Sequence, residues 1–189
     1  MKQDLGKILA LYPTPAVLVG SLTEDRADWT MVAHVGIIAH DRLLVSMMKE
    51  HYGAQCIEKN GIFTISSVTA DFLEKADYAG LHSGNDTDKS RLMAWHPGVT
   101  GAPVPEEAKL VIECRVVDNY PHPVFDNFIV TIEKVWAEDS ILDAKGKIDY
   151  RVFKPVLFEF PTYQYLETGK ILGNCRQLGK NLGKEGEKA

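Results

Sequence analysis

Between residues 16 and 160 the chain is cut into short apolar or alternating runs by polar, Gly- and Pro-containing segments, a spacing that suits strands paired through tight connections. Runs at 16–21, 30–38, 43–48, 62–66, 109–117, 127–137 and 155–160 have strand length and pattern, the last reading as the final core strand. Residues 23–28 read as a polar turn, and Tyr120-Pro121-His122-Pro123 as the connection between the two longest runs. Helical signals are few. The spacing of Leu5, Ile8, Leu9 and Tyr12 predicts a short opening helix ended by Tyr12-Pro13-Thr14-Pro15. Residues 53–59 predict a helix with Cys56 and Ile57 toward the core, residues 70–78 predict another, and 95–107 is Pro- and Gly-rich without a period. The expectation is a mainly β protein, a closed or nearly closed antiparallel barrel with short helices, and not a parallel α/β sheet.

With 189 residues, 45% of them apolar and 25% charged, the chain has the size and composition of one domain, taken as residues 1–175, followed by a polar tail over 176–189 that frays. A net charge of -5, with no dense basic cluster before the tail, argues against a nucleic-acid partner. The start Met1-Lys2-Gln3-Asp4 does not resemble a secretory signal, and no apolar run reaches membrane-span length. Cys56, Cys114 and Cys175, an odd number with no C-x-x-C spacing, read as free thiols in a reducing cytoplasm.

Several chemistries lack their motifs. No G-x-G-x-x-G follows a strand and no P-loop is present, so nucleotide binding by those routes has no support. The six histidines have no zinc-ligand spacing, and no G-x-S-x-G surrounds a serine; no metal site is expected. Two segments remain. Ser46-Met47-Met48-Lys49-Glu50-His51-Tyr52 leaves a strand and enters a helix start, where hydroxyl, ammonium, imidazole and free N–H groups can converge on an anion. Residues 77–89, from Asp77 through Ser83 to Lys89, gather turn-forming residues, hydroxyls and one cation. Taken singly, Lys49 reads as a snorkelling lysine, His51 as a locally satisfied helix residue and the loop as a solvated turn.

Together these segments resemble the flavin reductase-like, FMN-binding split-barrel family, the group that contains flavoredoxin. The resemblance runs from Tyr12 to about Gly173. It rests on Tyr12-Pro13-Thr14-Pro15 before an apolar strand, Trp29 to Gly36, Val45 to Tyr52, Asn60-Gly61-Ile62-Phe63, the Asp77 to Lys89 loop, Ile112-Glu113-Cys114, and Tyr165-Leu166 with Gly169 and Gly173. The chain departs from the family where His34 replaces a frequent Trp, Ser66 a frequent Asn and Gly53 a frequent Thr, and where Phe125-Asp126-Asn127 stands in place of a Gly-x-His.

The resemblance implies a split β-barrel of antiparallel Greek-key type. It also implies a homodimer with non-covalent FMN near the subunit interface, acting as a flavin oxidoreductase with NAD(P)H as a candidate co-substrate, with two alternatives: an electron carrier with a redox protein partner, and a flavin-binding module without turnover. The implied flavin site comprises Thr30, Met31, Val32, Ala33 and His34 along the ring. Ser46, Met47, Lys49, His51, Tyr52 and Ser66 follow, and Ser83 and Lys89 stand at the phosphate, contributed by either subunit. Lys89 is expected to serve the ligand and not the fold. No catalytic base is assigned, since the chemistry belongs to the cofactor. His34 reads equally as a donor that tunes the flavin and as a hydrogen-bonded barrel residue.

Overall fold

The computed structural model describes residues 1–23 and 26–180. Its elements are β1 (Thr14–Pro15), β2 (Val17–Thr23), β3 (Arg26–Val32), β4 (Val35–Ala39), β5 (Arg42–Met48), α1 (Tyr52–Asn60), β6 (Ile62–Ser67) and α2 (Leu73–Leu81). They continue with β7 (Trp95–Pro97), β8 (Pro103–Pro105), β9 (Leu110–Pro121), β10 (Phe125–Ala137), a 3-10 turn (Asp139–Ile141), β11 (Val156–Glu159) and β12 (Gln164–Glu167).

Seven strands form one antiparallel sheet in the order β3-β2-β6-β9-β10-β5-β4. Its two edge strands, β3 and β4, follow each other in the chain with only Ala33 and His34 between them. The sheet must therefore curl until its edges meet. The β4–β5 ladder continues into this junction, where the His34 carbonyl accepts a hydrogen bond from the Ser46 N–H at 2.9 Å. This is the mainly β, antiparallel barrel that the strand spacing predicts.

Alternation along each strand sorts the side chains to two faces. Val19, Val45, Met47, Phe63, Phe128 and Val130 form one cluster, into which α1 inserts Ala54 and Ile57. Leu18, Trp29 and Val111 form the other, covered by Ala76 and Ala79 of α2, Phe72 and Val104. The sequence expectation for Cys56 and Ile57 holds, since both are buried.

The β7–β8 hairpin is fastened by a buried carboxylate. Glu113 accepts hydrogen bonds from the Val99 and Thr100 N–H groups, the Thr100 hydroxyl and the Trp136 indole N–H, at 2.6–3.0 Å. A Cβ at Gly98 would lie 2.4 Å from that carboxylate, so the turn needs glycine there. Burial alone would raise the Glu113 pKa, but the hydrogen bonds from Thr100, Trp136 and Val99 outweigh it and hold the carboxyl below its ordinary value.

Several expectations need correction. Residues 1–13 form no helix, and Leu5, Ile8 and Leu9 are exposed, because a short apolar stripe with no surface of its own chain to pack on does not hold a helix. The run 30–38 is two strands interrupted at Ala33 and His34. Arg26 to Asp28, read as turn, belong to β3, while Glu24 and Asp25 lie outside the described residues. Helix α2 starts later than expected and reaches Leu81, so Ala79 to Leu81 are helical and not loop. The unpatterned 95–107 contains a proline-bounded hairpin, and β12 follows the strand expected to be last. Tyr120 and Pro121 extend β9. Of the tail, 176–180 are exposed and 181–189 lie outside the described residues.

Candidate functional site

Two clefts meet at His51. The first, of about 340 Å³, opens over the barrel seam, with Met31, Val32, Ala33 and His34 on one side and Ser46 and Met47 of β5 on the other. Aromatic rings close it: Tyr12, Phe125, Phe158 and Phe160. The second, of about 180 Å³, is bounded by Thr30, Tyr52, Gly80, Ser83, Gly84 and Lys89. His51 lines both.

His51 owes this place to its position at the N-cap of α1, between β5 and the helix. Its side chain makes no capping hydrogen bond, and its Nδ1 is buried without a partner. Burial lowers the His51 pKa, with Glu50 opposing and Lys89 reinforcing the shift, so the ring is neutral at pH 7. The first turn of α1 carries no acid, which leaves the positive end of the helix dipole unneutralised by its own residues. An orphaned ring nitrogen beside a helix start is a place for a polar, anionic ligand group.

The wall opposite the helix start is a docked loop. Lys89 is almost wholly buried, with Nζ 3.2 Å from Asp28 Oδ1, and it donates to the Ala79 carbonyl at 3.2 Å and to the Trp29 carbonyl. Burial raises the Asp28 pKa, while the Lys89 ammonium and the Thr30 hydroxyl pull it back. A Cβ at Gly84 would lie 2.3 Å from Tyr52 Cδ1 and 2.4 Å from Asp28 Oδ1, so the loop backbone is pressed directly on β3 and α1. This corrects the reading of Lys89 as a residue without a folding role: its ammonium is committed to an ion pair and two carbonyls that hold the loop.

The remaining sequence candidates divide. Thr30 and Tyr52 join Ser83 in the smaller cleft, and Thr30 Oγ1 donates to Asp28 Oδ2 at 3.4 Å. Ser46 lines the larger cleft while its hydroxyl donates to Asn127 Oδ1 at 2.6 Å. His34 shares a hydrogen bond of 2.9 Å through Nε2 with the Tyr12 hydroxyl. Lys49 and Ser66 line neither cleft. The Lys49 ammonium stands 4.0 Å from Asp126, half in solvent, and Ser66 is fully buried on β6 with an unpartnered hydroxyl.

Sequence reasoning missed Tyr12, Asp28, Phe125, Phe158 and Phe160. Tyr12 was hidden behind the helix pattern and Asp28 inside an apparent turn. Phe125 opens β10, Phe158 lies in β11 and Phe160 in the turn after it, and only their aromatic character was visible.

Comparison with known proteins agrees with this geometry. A family model described as the flavin reductase like domain matches residues 9–166. Flavoredoxin from Methanosarcina acetivorans superposes with a TM-score of 0.91 at 30% identity, covering 96% of this chain and 99% of that one. Flavoredoxin of Desulfovibrio vulgaris (Miyazaki F) gives 0.88 at 32% identity, covering 95% and 100%. An FMN-binding protein from Thermus thermophilus gives 0.78 at 21% identity, covering 92% and 97%, a likeness of fold. No curated protein sequence matches the chain.

Proposed function

The chain belongs to the flavin reductase-like domain family, and from that premise we propose that it is an FMN-dependent oxidoreductase that holds its cofactor without a covalent bond. The observation that carries this reading is the junction at His51, where an apolar, aromatic-walled cleft continues into a polar one at a helix start. A flavin mononucleotide is a planar ring joined through a polar chain to a phosphate, and that is the order of surfaces the two clefts offer. Met31, Val32, Ala33 and Met47 would face the ring, with Tyr12 and His34 at its edge. Thr30, His51, Tyr52, Ser83 and the N–H groups of the first turn of α1 would hold the chain and phosphate. When bound, the flavin supplies hydride or electron transfer; this chain's residues bind, orient and exclude water.

Release of FMN, and not FAD, from the purified yellow protein on denaturation tests the reading. A colourless protein that leaves FMN fluorescence unchanged on titration overturns it.

NAD(P)H is the proposed electron donor. A second reading, an electron carrier served by a protein redox partner, is favoured by the two flavoredoxins being 30% and 32% identical to this chain. Anaerobic mixing separates them: bleaching of the flavin by NADH or NADPH supports the first, and reduction only by a redox protein the second.

A homodimer is also proposed. Support comes from the exposed apolar side chains of the edge strand β4, Ile37 and Ile38, and of the extended arm, Leu5, Ile8, Leu9 and Leu11. Sedimentation at micromolar concentration checks it; a monomer that still binds flavin removes the second subunit from the site.

A further inference from the structure

Strand β12 turns one side chain inward. Gln164, Leu166 and Glu167 are exposed, whereas Tyr165 is half-buried and reaches α2 and β3. Its hydroxyl donates to Asp77 Oδ1 at 2.5 Å and lies 3.8 Å from Met31 Sδ. Burial first, and then the Asp77 carboxylate, raise the Tyr165 pKa, so the phenol keeps the proton it donates. The ring meets Phe158 at 5.7 Å, but it also borders a cavity of about 660 Å³ that shares no residue with either cleft. A ring beside open space is aimed by its hydrogen bond more than by packing.

Met31 needs such a hold. It lines the larger cleft, half-buried, on a side chain with three rotatable bonds that is otherwise free to sample many rotamers. Helix α2 backs it. Asp77 and Gly80 lie three residues apart, hence on one helix face, and a Cβ at Gly80 would come within 3.1 Å of Met31 Cβ. Glycine lets the helix close on β3, and Asp77, one turn earlier, anchors the hydroxyl that reaches the sulfur.

We infer that Tyr165 is a positioning residue for the flavin cleft: its hydroxyl, anchored on Asp77, fixes the Met31 side chain where the flavin ring would lie. The inference rests on the flavin reading above and deepens it. Neither Tyr165 nor Asp77 lines a cleft, so they act through a residue that does. The ring of Tyr165 touches Phe158, whereas its hydroxyl ends at Met31.

Tyr165→Phe isolates the hydroxyl, since the ring and its contact with Phe158 stay. Fluorescence titration of the full-length protein with FMN should show binding weaker by about three- to tenfold. Asp77→Asn, which keeps an acceptor oxygen, should stay within about twofold of the parent, and Asp77→Ala should repeat the Tyr165→Phe loss. A merely structural hydroxyl would lower affinity too, so a double-mutant cycle decides: in the Met31→Leu background, Tyr165→Phe should bring no further loss. Methyl NMR of labelled methionine supplies a readout that needs no ligand. The Met31 resonance, assigned by its disappearance in Met31→Leu, should shift or broaden in Tyr165→Phe. Parental FMN affinity in Tyr165→Phe, an equal loss in both backgrounds, or an unmoved Met31 resonance overturns the inference. A parent protein that takes up no FMN overturns the flavin reading instead, and the methyl resonance still decides whether Tyr165 holds Met31.

Discussion

The ammonium of Lys89 lies 3.2 Å from the Asp28 carboxylate, and both side chains are almost wholly inside the protein. The pair joins residues 61 positions apart, clamping the loop after α2 onto β3, and Lys89 itself lines the smaller cleft.

Lys89→Ala should therefore destabilise the protein by about 3–5 kcal/mol, because it leaves the Asp28 charge buried and unpaired. Urea unfolding measures this, and Asp28→Leu with Lys89→Met should recover most of the loss. FMN and riboflavin should weaken together, through the displaced loop. A selective loss of FMN is the result that would assign the Lys89 charge to the phosphate.

Gly84→Ala probes the same wall without touching a charge. The added methyl would have to occupy space 2.3 Å from Tyr52 and 2.4 Å from Asp28. The expected cost is about 1–3 kcal/mol, with weakened flavin retention on gel filtration. Full retention at parental stability would show that the loop is free to shift.

Glu113 gives a pH dependence with a definite sign. Its folded-state pKa lies below the unfolded value, so the unfolded chain binds the extra proton. The stabilisation is present above the ordinary carboxyl range and lost as pH falls through the folded value. Glu113→Gln should cost about 1.5–3 kcal/mol at pH 7, and the gap to the parent should narrow in unfolding curves taken near pH 3. An equal gap at both pH values rejects this account.

Tyr12→Phe removes the hydrogen bond to His34 while keeping the ring. A loss of about 0.5–1.5 kcal/mol in unfolding free energy is expected. If the His34 edge faces the flavin, the visible absorption of the bound cofactor should also shift. An unchanged spectrum would place His34 in a purely structural role.

The sequence announced strands through the alternation in 43–48 and 127–137 and the first helix through 53–59, because those runs face one buried surface and carry its period. It misled at Leu5, Ile8, Leu9 and Tyr12, where helical spacing exists without a partner surface. The site was half legible. Thr30, Ser46, His51, Tyr52 and Ser83 sit beside recognisable local chemistry, whereas the Tyr12, Phe125, Phe158 and Phe160 wall is assembled by strand pairing across more than a hundred residues. Lys89 shows the converse difficulty. A lysine in a polar segment looks solvated, and only the partner on β3 reveals that it is inside.

The barrel seam carries a kinetic consequence. Val32, Ala33 and His34 reach Ser46 and Met47 through the local β4–β5 hairpin, but the larger cleft is completed only when Tyr12, Phe125, Phe158 and Phe160 arrive from distant parts of the chain, so its aromatic wall rests on long-range contacts, the kind that slow folding. A ligand lying across it touches β3, β5 and the aromatic wall at once and acts as a bolt on a closed door. Its binding energy should appear as a slower unfolding rate, and as added hydrogen-exchange protection concentrated in β3, β4 and β5.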